Sequence, residues 1–127
     1  MLPDPIKKVI SRWGPAILMM GLIFLFSSIP MKLSPMKAEP LKLSWETLIR
    51  KGGHVLEFAL LAVALQNGFR PKSWKGIAVI LGCVLLYAFS DELHQSFITG
   101  RTARLIDVVI DLLGGILGTW LATKYSK

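Results

Sequence analysis

The sequence predicts an all-α, polytopic membrane protein, a four-transmembrane-helix bundle carrying a polar cluster in one leaflet. Three observations predict it. Long uncharged runs alternate with short charged segments along the chain. Of the 127 residues, 53% are hydrophobic and 18% charged, against about 25% charged in a soluble domain. All four tryptophans, Trp13, Trp45, Trp74 and Trp120, fall at the ends of the uncharged runs, where an amphipathic ring sits at headgroup depth.

The first span is expected over 13–31, WGPAILMMGLIFLFSSIPM, nineteen residues without an ionisable group and close to the length that crosses a bilayer. Lys7, Lys8 and Arg12 precede it like the basic leader of a signal peptide. Around Phe26 to Ile29, however, no pair of small residues has the spacing of a cleavage site, so the segment reads as a retained anchor. A loop of about twenty residues follows, in which Pro35 and Pro40 exclude continuous helix. Its end, LSWETLIRK, is expected to be a short interfacial helix starting at Ser44. The second span, 52–69, joins GGHVLE to the uncharged Phe58–Phe69 and closes on Asn67, Gly68 and Pro71. The third, 74–95, is built on Gly76 to Ser90, fifteen residues without charge, and runs into SDELHQ. The fourth, 105–122, carries Asp107 and Asp111 near its start. There Gly114 and Gly118 form a small-xxx-small face suited to close helix packing. The whole of 1–127 reads as one domain without internal repeats.

The formal net charge of +7 excludes little by itself. The basic residues are scattered and lack an interleaved aromatic platform, so nucleic acid is set aside as a partner. Anionic lipid headgroups supply the counter-charge instead. A single cysteine, Cys83, excludes an internal disulfide and any CxxC motif. Eight Lys and Arg lie on the N-terminal side of the predicted spans and seven on the other. Setting aside those in the polar cluster tilts the balance toward a plasma-membrane protein with both termini cytoplasmic.

Because successive spans alternate in direction, the start of span two, the end of span three and the start of span four share one leaflet. The embedded charges are there: His54 and Glu57; Asp91, Glu92 and His94; Arg101, Arg104, Asp107 and Asp111. At 3.6 residues per turn, His54 shares a face with Glu57, Tyr87 with Asp91 and with His94 or Gln95, and Arg104 with Asp107 and Asp111. A charge facing hydrocarbon costs about 2.5–3.5 kcal/mol at mid-helix, so these stripes should face one another or water. Asp111 is the most telling, since it lies seven residues past Arg104, roughly 10 Å deep at about 1.5 Å per residue.

This cluster suits several chemistries. Arg101 and Arg104 would hold an anionic envelope precursor or lipid headgroup, because guanidinium forks match phosphate and carboxylate. Glu57, Asp91, Glu92 and Asp107 would orient them, with Lys51, His54, Gln95 and Asp111 completing the ligand-binding set. Alternatively, Glu57 or Asp91 would act as a general base beside His54 or His94 in a hydrolase or transferase of lipid-linked phosphates. A metal set of His54, Glu57, His94 and Asp107 suits zinc chemically but lacks a tight spacing motif. A nucleophilic Ser90 is disfavoured, because a helical serine readily bonds its own backbone. Proton-coupled transport is disfavoured as well, since the opposite halves of the spans offer no polar path. The sequence identifies no cofactor and fixes no oligomeric state.

Three stretches, KGGHVLEF, SDELHQSFITGR and DVVIDLLGGILG, resemble the VanZ-like family of integral membrane proteins, named for an accessory protein of glycopeptide resistance. The resemblance covers about 51–118. It rests on a Lys, then His and an aromatic, then Asp-Glu with a nearby Gln, a Gly-Arg pair, and an Asp-x-x-x-Asp step into glycines. Here these are Lys51, His54, Phe58, Asp91, Glu92, Gln95, Gly100, Arg101, Asp107, Asp111, Gly114 and Gly118. Two positions depart from the pattern: Arg50, where an acid often precedes the lysine, and Phe58, where many relatives carry Tyr. The resemblance implies a place in the cell envelope and reduced susceptibility to teicoplanin.

Overall fold

The computed structural model of the chain describes residues 1–30 and 45–126. They form four α-helices, α1 (Asp4–Ser27), α2 (Trp45–Phe69), α3 (Trp74–Ser96) and α4 (Leu105–Tyr125), with no strand among the described residues. By length and composition α1, α3 and α4 are long and apolar enough to cross a membrane, which makes this a membrane-embedded protein. The second helix falls outside that set. Its polar residues lie at both ends of the apolar stretch, His54 and Glu57 at one and Gln66 and Asn67 at the other, and they dilute its hydropathy.

Two helices begin earlier than the apolar runs do. α1 starts at Asp4, nine residues before the expected span, because its first turn is well furnished for initiation. Pro5 lacks an N–H where none is needed, and the Asp4 carboxylate faces the positive end of the helix dipole. α1 also ends sooner, at Ser27 rather than near residue 31. The Ser28 hydroxyl donates back to Phe24 O at 2.7 Å. α2 starts at Trp45, so the segment expected to be a separate interfacial helix is its first turns, and neither Gly52 nor Gly53 interrupts it. The expected start at Ser44 and the loop with Pro35 and Pro40 lie outside the described residues. α3 and α4 begin where expected and end one and three residues later.

Pro15 sits inside α1 and removes the N–H that would serve the carbonyl of Ser11. Asn67 of α2 takes over, its side-chain amide donating to Ser11 O at 3.3 Å and to Arg12 O at 3.1 Å. In return the Arg12 guanidinium donates to Gly68 O at the end of α2, where a cation complements the helix terminus. Trp13 lies edge-on to Phe69 and covers Gly68 so closely that a Cβ there would strike its ring. Arg70, in the left-handed region at φ 49°, then ends α2 ahead of Pro71.

The cross-helix contacts fix the directions. Trp13 of α1 meets Gly68 of α2, while Ser28 of α1 meets His94 of α3, so α1 runs against α2 and along α3. Gly114 and Gly118 of α4 meet Val55 and Ala59 of α2 in the same order, so α4 runs along α2. The topology is therefore up-down-up-down. The contact between α2 and α4 is the most extensive in the molecule, because both glycines let backbone lie on backbone. A Cβ on Gly114 would come within 2.5 Å of Val55 O, and one on Gly118 would meet Ala59 O still closer. Between the helices the core is small and apolar and includes Ala16, Ile23, Phe58, Leu61, Ala62, Ile80, Val84, Ala88 and Val108. The outer surface is apolar, with Ile17, Leu18, Leu25, Leu86 and Leu113 more than half exposed. Such a surface suits lipid and would be a liability in water.

Candidate functional site

The close approach of α4 to α2 sets Asp111, one turn before Gly114, against His54, beside Val55. His54 Nδ1 lies 3.2 Å from Asp111 Oδ1. The pair is within ion-pair reach but out of line for a hydrogen bond: neither Asp111 oxygen, nor His54 Nδ1, has a hydrogen-bond partner among the described residues. Gly115, next to Gly114, packs on Val84 of α3, and two turns further along that helix comes Asp91. Asp111 is 1% exposed and Asp91 4%. Together with His54 they bring one ligating atom each to within 4.8 Å of one another. The ring of Phe58, four residues on in α2, stacks over His54 at 6.3 Å between centroids.

From Asp91 a chain of hydrogen bonds runs outward. Gln95 Nε2 donates to Asp91 Oδ2 at 2.7 Å and lies 3.3 Å from Ser27 Oγ. Gln95 Oε1 accepts from Arg101 Nη1 at 3.2 Å. Arg101 in turn donates through Nε to Ile29 O and through Nη2 to Phe26 O, both at 3.1 Å. It reaches α1 because Gly100, at φ 80°, takes a left-handed turn that glycine adopts without penalty. Burial pushes the Arg101 guanidinium below its usual range and the nearby Arg50 adds to this, while Asp91, Glu57 and Glu92 oppose it. A guanidinium stays charged through shifts of this kind.

Two further acids hold the edges. Glu92 Oε1 accepts the backbone N–H of Arg104 at 2.6 Å, which caps α4 from a neighbouring helix. Asp107 pairs with Lys51 at 3.6 Å. Above the buried trio opens a cavity of about 180 Å³ lined by Phe26, Arg50, Gly53, His54, Glu57 and Arg101.

Of the residues singled out in the sequence, His54, Asp91 and Asp111 meet in the trio. Lys51, Glu57, Glu92, Gln95, Arg101 and Asp107 surround it. Arg104 is exposed and joins through its backbone. His94 turns toward α1 instead, its Nε2 2.9 Å from Ser28 Oγ and its ring stacked on Phe24 at 4.4 Å. Of the metal set read from the sequence, only His54 thus belongs to the trio. Ser90 Oγ donates to Tyr87 O at 2.8 Å within its own helix. Arg50 and the end of α1, Phe26 to Ile29, were missed by sequence reasoning. The signals were there: Arg50 adjoins Lys51 in sequence, and Ser27 and Ser28 interrupt an otherwise greasy run.

Chemically, two guanidinium groups over a cavity with an imidazole and a carboxylate suit an anion that also exchanges protons. A family model described as VanZ/LLP1 matches residues 13–125, nearly the whole chain. No curated protein and no solved structure matches it.

Proposed function

The chain belongs to the VanZ/LLP1 family, and from that premise we propose that it binds an anionic lipid or envelope-precursor headgroup in the plasma membrane. The ligand enters the cavity under Arg50 and Arg101, within a polar cluster confined to the outer leaflet, and α2 crosses the membrane with the other three helices. The observation that carries this is the setting of Arg101. Three of its five N–H donors go to Ile29 O, Phe26 O and Gln95, which fixes the fork at the cavity and, among the described residues, leaves one N–H on each terminal nitrogen for a ligand. Arg50 takes the place that sequence reasoning gave to Arg104. Binding an envelope precursor in this way would lower susceptibility to teicoplanin-type glycopeptides.

The test is lipid retention. Arg50→Ala and Arg101→Ala should insert normally yet copurify at least about tenfold less anionic lipid, as losing a charge-assisted hydrogen bond of about 1.5–3 kcal/mol requires. Both variants carrying the wild-type lipid complement would refute headgroup binding. Expression of wild type but not Arg101→Ala should raise the inhibitory concentration of teicoplanin.

A second reading is favoured by one observation, that Glu57 lines the same cavity beside His54. It makes the protein a hydrolase or transferase of lipid-linked phosphates with Glu57 as general base. Release of phosphate from isoprenyl phosphates by wild type, lost in Glu57→Gln, distinguishes it from binding alone.

A further inference from the structure

We propose that His54, Asp91 and Asp111 together hold one divalent transition-metal cation of the zinc or manganese class.

The argument starts from Asp111. It is 1% exposed, and neither of its oxygens has a hydrogen-bond partner among the described residues. A buried carboxylate left in that condition is costly unless a cation satisfies it. The nearest candidate, His54 Nδ1, lies 3.2 Å away but out of line for hydrogen bonding. The two atoms thus lie close together without bonding to each other, which leaves both open to a shared cation. Asp91, 4% exposed, supplies the third donor from α3.

All three offer a ligating atom within 4.8 Å of the other two. Zinc binds nitrogen and oxygen tetrahedrally at about 2.0–2.2 Å, so donors on one ion lie about 3.3–3.6 Å apart. His54 Nδ1 and Asp111 Oδ1, at 3.2 Å, already match that spacing, and a pair at the 4.8 Å limit would close by about 1.2–1.5 Å. The donor set selects the class of ion. One imidazole with two carboxylates suits zinc or manganese better than calcium or magnesium, which take oxygen alone. Three protein ligands also leave a position open, as catalytic rather than structural sites do.

The surroundings resemble the outer shell of a metal site. Gln95 fixes Asp91 through Oδ2, and Arg101 fixes Gln95, the kind of support that orients ligating carboxylates. The opposing helices are held together at Gly114 and Gly115, so the three donors come from rigid elements. His54 also lines the cavity under Arg50 and Arg101, which places the ion at the floor of that cavity.

The inference stands on the trio and not on headgroup binding, so the test uses metal without lipid. The full chain, purified in detergent, stripped with a chelator and desalted, is titrated with Zn2+ and separately with Mn2+. Uptake is read by calorimetry and by elemental analysis after a second desalting. Wild type should retain one equivalent of one ion per chain, and so should Asp4→Asn on the exposed start of α1. Asp111→Asn, Asp91→Asn and His54→Gln should each bind at least about tenfold more weakly. No uptake by wild type, or equal uptake by whichever of these variants folds, overturns the proposal. In that event protonated His54 is the counter-charge of Asp111. X-ray absorption of the loaded wild type needs no variant: one imidazole among oxygen donors is expected, and a shell without imidazole refutes the assignment.

Discussion

Glu92 is 6% exposed, and the work of its two oxygens is unequal: Oε1 caps α4 at Arg104 N, while Oε2 has no hydrogen-bond partner among the described residues. Replacing it with alanine should remove a cap of about 1–2 kcal/mol and speed amide hydrogen exchange at Arg104, whose N–H it holds, by about tenfold. Glu92→Gln keeps an acceptor and should leave that exchange close to wild type. Unchanged protection in Glu92→Ala would show that the cap contributes nothing. That Asp91, Asp111 and His54 turn inward was legible in the sequence, because a short charged side chain deep in hydrocarbon has to find a partner. That these three, and not His54 with Glu57, His94 and Asp107, bring ligating atoms together was not. The signal at Arg50, its place beside Lys51, was too weak to single it out, because a long cation near a helix end is equally content among headgroups. The choice between His94 and Gln95 was not legible either. They differ by one residue, about 100° around the helix, and sequence spacing does not set the rotational phase that sends Gln95 to Asp91 and His94 to α1.

At the level of the helices, Gly114 and Gly118 made it plain that α4 has a close partner, but not that the partner is α2. That follows only from Val55 O and Ala59 O lying where a Cβ would be. The glycines of this chain should accordingly divide into two groups. Gly118→Ala should destabilise the bundle by about 1–3 kcal/mol through overpacking. By contrast, Gly21→Ala and Gly82→Ala, where an added Cβ meets nothing within 4 Å, should be neutral or stabilise by about 0.5–1 kcal/mol. Thermal unfolding in one detergent separates the groups, and a Gly118→Ala protein as stable as Gly82→Ala would mean the two backbones do not touch. Asn67→Leu should loosen α1 by about 1 kcal/mol, the net worth of a hydrogen bond, because Ser11 O then loses the donor that stands in for Pro15. The helix boundaries of α1 and α2 escaped the sequence because lipid length bounds only the apolar part, whereas a helix continues into water until something stops it.

For the whole molecule, the question is whether α2 crosses the bilayer with the three helices that meet the hydropathy requirement. It lies along α4 from Val55 to Gln66, whose side chain reaches Thr123 at 3.1 Å, and against α1 at Gly68. A helix bound along the length of spanning neighbours shares their depth. Reporter fusions should therefore find the N- and C-termini on the same, cytoplasmic, side, while termini on opposite sides would mean three crossings. The four-helix architecture was legible from uncharged runs alone. The order of packing was not, since α2 pairs more extensively with the fourth helix than with either of its neighbours in the chain.

That long-range pairing bears on how the protein is made. His54 enters the ribosomal tunnel 57 residues ahead of Asp111, a delay of about 3–11 s at ordinary synthesis speeds. During that interval the second segment has α1 and α3 beside it but not its most extensive partner, so its settled place in the bundle awaits the final helix. In a nascent chain arrested before residue 105, a cysteine introduced in the apolar stretch 58–65 should react with a water-soluble thiol reagent, and in the full chain it should be protected.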